Sequence, residues 1–253
     1  MGSHLCGELL EQGHEVICID NLLTGSEKNI EEFKNNPNFK FLIQDAAEIT
    51  DIDADQIYHL ASPASPNINS SKSYHAHPFE TMEVNTVATW RLCELAAVKK
   101  ARFLFASTSE IYGDPLEHPQ KETYRGNVST TGPRSIYDES KRFGETITAA
   151  FVRSRGLNGR IVRIFNTYGP KMAPNDGRVV IEFVTAALAG KAFPVFGDGE
   201  QTRSFCYVSD MVDGLIAAME TGESGKVYNL GNPDEFTILK LAQKIKAITG
   251  SAS

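Results

Sequence analysis

Tyr137 and Lys141 stand four positions apart in the run Ser135-Ile136-Tyr137-Asp138-Glu139-Ser140-Lys141, a spacing that puts two side chains on one face of a helix. A phenol with an ordinary pKa of about 10 is a poor base at neutral pH, but a nearby ammonium favours the phenolate and brings it toward the working range. The pair predicts a hydride-transfer catalyst in which Tyr137 takes a proton from a substrate hydroxyl. Upstream, Ser107-Thr108-Ser109-Glu110 closes an apolar run, and Thr108 is placed to hydrogen-bond the same substrate oxygen. The Tyr-x-x-x-Lys spacing also occurs on the solvated faces of long amphipathic helices, so taken alone the motif admits both readings.

The elements that must position these residues show in the hydrophobic pattern. Short β-branched or aromatic runs alternate with longer helical stretches, the signature of an α/β fold with a doubly wound parallel sheet covered by helices on both faces. Strands are expected at 15–19, 40–43, 56–60, 103–107 and 160–165, and helices at 4–12, 81–98 and 136–155. Polar or small residues follow the first four strands, where open α/β sheets bind ligands. Beyond Phe165 the pattern loosens into Gly- and Pro-containing loops. Helices then follow at 179–189 and 210–220, a strand at 226–230 and a last helix from Leu239, a smaller lobe closing over the sheet.

Composition bounds the partners. The chain has 253 residues, 41% hydrophobic and 23% charged, enough for a substantial core. A formal net charge of -7 without a Lys/Arg-rich stretch argues against nucleic acid or an anionic membrane as the main partner. No apolar run reaches membrane-spanning length and no secretory signal opens the chain. Cys6, Cys18, Cys93 and Cys206 lack metal-ligand spacing, so no metal is expected and a reducing cytoplasm is the simplest location.

At the amino end, Gly2-Ser3-His4-Leu5 runs into a helix and then a strand ending in Asp20-Asn21. In dinucleotide-binding units an acid about twenty positions after the glycine loop bonds the adenosine ribose, and Asp20 stands at that distance from Gly2. An acid there repels a ribose 2′-phosphate and favours NAD over NADP. Asp-Asn is also ordinary turn chemistry, and Asp45 is either a cofactor contact or a helix cap. Gly2-Ser3-His4 is read as native rather than as an expression scar.

Five segments carry a more specific resemblance: Tyr58-His59-Leu60-Ala61-Ser62-Pro63-Ala64-Ser65-Pro66, Ser107-Thr108-Ser109-Glu110-Ile111-Tyr112-Gly113-Asp114-Pro115, Arg163-Ile164-Phe165-Asn166-Thr167-Tyr168-Gly169-Pro170, Asp176-Gly177-Arg178-Val179-Val180 and Gln201-Thr202-Arg203-Ser204-Phe205. In order and over essentially the whole chain, they resemble the extended short-chain dehydrogenase/reductase family, and within it the UDP-glucuronic acid decarboxylases. The resemblance implies a Rossmann-like NAD domain at 1–166 and a smaller nucleotide-sugar lobe at 167–253, with 204–228 returning to the first domain. It implies catalysis by Thr108, Glu110, Tyr137, Lys141 and Arg203. Cofactor contacts are implied at Gly2, Asp20, Asn21, Thr24, Gly25, Asp45, Leu60, Ala61 and Ser62, with Tyr137 and Lys141. Substrate contacts are implied at Pro63, Ser65, Ser109, Asn166, Arg178 and Arg203. A homodimer through the helix bearing Tyr137 and the preceding long helix is likewise implied.

The implied chemistry is oxidation of the sugar at C4, loss of carbon dioxide from the resulting β-keto acid, and reduction to a pentose. Glu110 is the expected acid/base partner at C5; Arg203 holds either the carboxylate or the diphosphate. Ser109 discriminates among relatives. The 4,6-dehydratases usually carry an Asp there to protonate a departing hydroxide, which decarboxylation does not require. Decarboxylase therefore leads, ahead of dehydratase and 4-epimerase. Three departures from the family pattern bear on this. The first strand and most of the glycine loop are absent, the carboxyl end stops early, and the stretch from Asn67 to His77 is longer and more polar than expected. A chain truncated at both ends is expected to bind NAD weakly and to leave a gap between the strands at 15–19 and 56–60, so a noncatalytic binding or dimerisation module is the alternative.

Overall fold

In the computed structural model, which describes residues 1–174 and 176–251, the chain begins with helix α1 (Gly2–Glu11) and strands β1 (Val16–Asp20), β2 (Phe39–Ile43) and β3 (Gln56–His59). Helices α2 (Pro78–Glu83) and α3 (Thr89–Lys99) follow, joined by a π-turn at Val84–Ala88, and then β4 (Arg102–Thr108), the long α4 (Ser135–Arg155) and β5 (Asn158–Ile164). The remainder comprises β6 (Thr167–Tyr168), α5 (Val179–Leu188), β7 (Thr202–Ser204), β8 (Cys206–Tyr207), α6 (Val208–Thr221), β9 (Val227–Leu230), β10 (Glu235–Thr237) and α7 (Ile238–Thr249). The expected second region, 167–253, includes residues 175, 252 and 253, which lie outside the described set.

The main strands pair in parallel, in the order β3-β4-β5-β9, and β1 pairs with β2 in a separate two-stranded ladder. Among the described residues no ladder joins β1 to β3. β4 explains why helices cover both faces. Phe103 and Phe105 point into a cluster with Leu92, Cys93, Ala96, Ile147 and Phe151 from α3 and α4, while Leu104 points the other way, to Leu215 and Met219 of α6. Alternate residues of a strand face opposite sides, so a strand buried on both faces reads as a continuous apolar run.

The position of α4 depends on Gly144. A Cβ there would come within 2.3 Å of Phe105 Cζ and 2.8 Å of the Asn85 carbonyl, so only glycine lets the helix lie this close to β4 and the π-turn. The same contact accounts for the interruption of the helix expected at 81–98. Asn85 sits in the π-turn, where its Nδ2 donates to Ser140 Oγ at 3.0 Å, and such turns widen a helix where a neighbour presses in. α4 ends at Gly156, whose φ of 68° is the left-handed conformation that closes helices. The chain turns back directly after it, and β5 begins at Asn158 rather than at the expected position 160.

The outer lobe is built on Phe183, Ala187, Ile238 and Ile245 between α5 and α7. Its short β7 and β10 pair antiparallel, placing Phe236 opposite Arg203. Between these pieces the chain returns to the main sheet, because α6 packs beneath β4 and β5 and β9 extends the ladder beside β5.

Candidate active site

Two elements put the reactive groups side by side. β4 ends at Thr108, whose Oγ1 accepts a hydrogen bond from the Glu110 amide at 3.2 Å and so starts a tight turn at Ser109–Tyr112. Across from it the first turns of α4 present Tyr137 and Lys141, both buried. Lys141 Nζ donates to the Ala106 carbonyl at 2.8 Å and lies 4.9 Å from the Phe105 ring centroid and 6.0 Å from that of Tyr137. The Tyr137 ring stacks on Tyr74 with centroids 5.1 Å apart. Thr108, Ser109, Glu110, Tyr137 and Lys141 share a cavity of about 350 Å³ with Gly2, Leu60, Ser62, Asn166 and Arg178.

The electrostatics correct one expectation. Burial raises the Tyr137 phenol above its ordinary pKa, opposed by a hydrogen bond from Thr108 and by the positive charge of Arg178. Burial also brings Lys141 down to about 7, with the Glu145 carboxylate acting against that fall. The ammonium therefore does not lower the phenol by itself, since desolvation of a group enclosed between rings and strand outweighs a charge directed at a backbone carbonyl.

Among the lining residues that sequence reasoning missed, two stand directly against the reactive groups. Arg134, the residue just before α4, pairs with Glu110, and Tyr74 covers Tyr137 with its own hydroxyl buried and without a hydrogen-bond partner. Arg134 was legible as a cation three positions before Tyr137. Tyr74 was not, because it lies in the polar 67–77 stretch, which reads as a departure rather than as a wall of the site. Asp138 is buried beneath them with Oδ2 4.0 Å from Arg134 Nε and Oδ1 without a partner; burial lifts its carboxyl to about 6, against the pull of Arg134.

The remaining expected residues fall into three places. Asp20, Asn21 and Asp45 form a polar ledge at the ends of β1 and β2. Asp20 Oδ1 accepts from the Leu22 amide at 2.7 Å, Asn21 Nδ2 donates to Asp45 Oδ2 at 2.7 Å, and Asp45 Oδ1 caps the Ala47 amide at 2.8 Å. Gly25 abuts this ledge, where a Cβ would stand 2.9 Å from both Asp20 carboxylate oxygens. Thr24 and Ser65 line a smaller neighbouring pocket of about 190 Å³ together with Arg178. Arg178 donates to the Ala64 carbonyl at 3.0 Å, Asn166 Nδ2 to the Ser204 carbonyl at 3.3 Å, and Ser65 Oγ to the Asp176 carbonyl at 2.6 Å. Ala61 and Pro63 flank Ser62 along the strand exit. Arg203 is not brought to the cavity: it lies exposed on β7, donating to the Thr202 carbonyl at 2.8 Å.

Comparison with known proteins decides the family. The family model described as the NAD dependent epimerase/dehydratase family matches residues 1–231. The chain belongs to the NAD dependent epimerase/dehydratase family. UDP-glucuronic acid decarboxylase 1 of Arabidopsis thaliana is 50% identical over 248 residues, covering 98% of this chain and 56% of that protein. The chain thus spans a little over half the length of that relative. Among solved structures, a UDP-glucose 4-epimerase from Thermotoga maritima with UDP-glucose matches with a TM-score of 0.87 at 30% identity over 100% of this chain and 80% of that one. A dTDP-glucose 4,6-dehydratase from Bacillus anthracis in complex with NAD matches with a TM-score of 0.83 at 25% identity over 100% of this chain and 78% of that one. The α/β architecture of this family member is therefore that of its epimerase and dehydratase neighbours, while its sequence is nearer the decarboxylases. No helix among the described residues is long and apolar enough to cross a membrane.

Proposed function

We propose that this protein decarboxylates UDP-glucuronic acid to UDP-xylose with NAD as a recycled cofactor. The observation that carries the reading is the convergence of Thr108, Glu110, Tyr137 and Lys141 on one cavity, with Ser109 where a dehydratase needs an acid. The ledge of Asp20, Asn21 and Asp45 suits the adenosine end of NAD, since an exposed carboxylate beside Gly25 matches ribose hydroxyls and rejects a 2′-phosphate. Thr24, Gly25, Leu60, Ala61, Ser62 and Gly2 would line its path to Tyr137 and Lys141. Bound NAD supplies a hydride acceptor for the sugar C4 and returns the hydride to the same carbon.

The protein's own groups move the protons. Tyr137, held by Thr108, takes the proton of the C4 hydroxyl as the 4-keto sugar forms. The new ketone is β to the C5 carboxylate and accepts the electron pair released when the C5–carboxylate bond breaks, so no acid is needed for the leaving group. Glu110 is placed to deliver the proton to C5. Arg134, already paired with Glu110, presents a guanidinium fork to the sugar carboxylate. Asn166 and Arg178 face the nucleotide sugar with Pro63, Ser65 and Ser109, and Arg203 closes on the diphosphate from the outer lobe.

The proposed division is an NAD-binding domain at 1–166 and a sugar-binding lobe at 167–253, with 204–228 belonging to the first. The packing of α6 and the pairing of β9 with β5 support it. A homodimer through α3 and α4 is supported by the exposed Phe79, Trp90 and Phe143 along α2, α3 and α4. Four free cysteines, three of them buried, suit a reducing compartment, and the location proposed is cytoplasmic. The direct test is incubation with UDP-glucuronic acid and NAD followed by mass spectrometry of the nucleotide sugar. Loss of carbon dioxide to a UDP-pentose supports the proposal. An unchanged acid, with conversion of a neutral UDP- or dTDP-hexose instead, refutes it.

A further inference from the structure

Behind the cavity wall lies a buried ionic cluster that the proposed chemistry does not use. Glu145, one helical turn beyond Lys141 on α4, accepts two hydrogen bonds from Arg163 of β5, from Nε at 2.9 Å and Nη2 at 2.8 Å, and a third from Ser107 Oγ at 2.6 Å. The Glu145 and Arg163 side chains are only 13% and 9% exposed. Arg163 Nη1 in turn donates to the Tyr112 hydroxyl at 2.8 Å, and that hydroxyl donates to Asn229 Oδ1 at 2.7 Å on β9. A bidentate pair this deep fixes the carboxylate in both position and charge, because moving or protonating it leaves a buried guanidinium unpaired.

We propose that Glu145 is a positioning residue for Lys141, supplying the fixed counter-charge that keeps the ammonium protonated beside Tyr137, with Arg163 and Ser107 as the clamp that aims it. The surroundings of Lys141 leave few other candidates. On α4 it lies 6.0 Å from the Tyr137 ring centroid with Glu145 one turn further on, on β4 it bonds the Ala106 carbonyl and lies over the Phe105 ring, and its charge is felt by the buried His59 of β3. His59 offers no negative charge: burial and the nearby Lys141 hold its imidazole down to about 3, and its Nε2 is bonded to the Val84 carbonyl at 3.0 Å. Tyr137 exchanges its proton in the proposed reaction and burial favours its neutral form, so it is no fixed counter-charge. Glu110 lines the same cavity but is paired with Arg134, whereas the charge of Glu145 opposes the desolvation that brings Lys141 to about 7. Ser107 links the clamp to the cavity itself, since it stands one residue before Thr108 and lines the same space.

The inference rests on the assignment of Lys141 to the site, so its test reads Lys141 ionisation rather than turnover. The 13Cε and 15Nζ signals of labelled lysine, with Lys141→Met to assign the resonance, give the titration midpoint in the protein and in Glu145→Gln. A midpoint lower by about one unit or more in Glu145→Gln is expected, a tenfold change in the protonation equilibrium. Because Glu145→Gln strands Arg163 and can weaken folding, the double variant Glu145→Gln/Arg163→Gln removes the pair together. It is expected to melt nearer the wild type, with a midpoint still below the wild-type value but lowered less than in Glu145→Gln, because a cation leaves with the anion. A purely structural role predicts a stability change with the Lys141 midpoint left at its wild-type value in either variant, and that result overturns the proposal. Retention of turnover in Lys141→Met would count against the site reading and leave the titration result standing.

Discussion

The wall formed by β4 and α4 and the lobe formed around β7, β10, α5 and α7 treat charge in opposite ways. In the wall, Lys141 and Arg163 are buried and Glu145 is largely so, and each is tied to a named partner across an element boundary. In the lobe, Arg203 is exposed and satisfied by the carbonyl of the residue before it. A buried charge whose partners are fixed is held ready for chemistry, whereas an exposed one is free to follow a ligand. The proposed reaction therefore puts proton transfer in the wall and the completion of binding in the lobe.

Removing the base from the wall should have the largest effect. Tyr137→Phe is expected to reduce turnover of UDP-glucuronic acid by about a hundredfold or more while leaving NAD binding largely intact. Near-normal turnover would break the distinction between wall and lobe. Two arginines then sharpen it. Arg134→Gln should lower kcat by roughly ten- to a hundredfold, as expected when a charge-assisted contact worth about 1.5–3 kcal/mol is lost. Arg203→Gln should instead raise KM about tenfold with kcat retained, since its proposed contact is to the diphosphate rather than the reacting sugar. Steady-state kinetics on both variants that showed the reverse split would reassign the carboxylate contact to the lobe.

Smaller effects bear on how the wall is assembled. Gly144→Ala forces a methyl against Phe105 and the Asn85 carbonyl, and overpacking of this kind costs about 1–3 kcal/mol. A thermal melt should fall by roughly 2–4 °C for each kcal/mol. Asp138 gives a pH-dependent signature. Its carboxyl is raised from 3.8 to about 6 in the folded protein, so the folded state binds more protons than the unfolded one between those values and this group's contribution weakens as pH rises through them. Asp138→Asn should therefore raise the melting temperature at pH 7.5 by a few degrees, corresponding to about 1–2 kcal/mol, and have little effect below pH 4. Equal shifts at both pH values would mean that the carboxyl is not desolvated.

The wall was also the more legible region in the sequence. The apolar run Phe103-Leu104-Phe105-Ala106 and the Tyr137/Lys141 spacing respond to local rules, strand alternation and helix periodicity, which operate within a few residues. Asp20 and Asp45 were likewise legible, because turn and cap chemistry is local. Arg134 against Glu110 and Tyr74 over Tyr137 were not, since those contacts depend on where separate loops come to rest. Arg203 shows the converse: family resemblance puts it at the substrate, and the fold leaves it outside the cavity on a short outer strand. The ionisation of Tyr137 was less legible for a related reason. Spacing along a helix fixes proximity but not burial, and here burial sets the sign.

The most direct test follows a label at the carbon that the wall is proposed to oxidise. UDP-glucuronic acid carrying deuterium at C4, incubated with the protein and NAD, should yield a UDP-pentose that keeps the deuterium at C4 and gains one hydrogen from solvent at C5. Deuterium recovered at C6 of a 6-deoxy sugar made from a C4-labelled neutral hexose, with the glucuronic acid left unconverted, would contradict the decarboxylase reading.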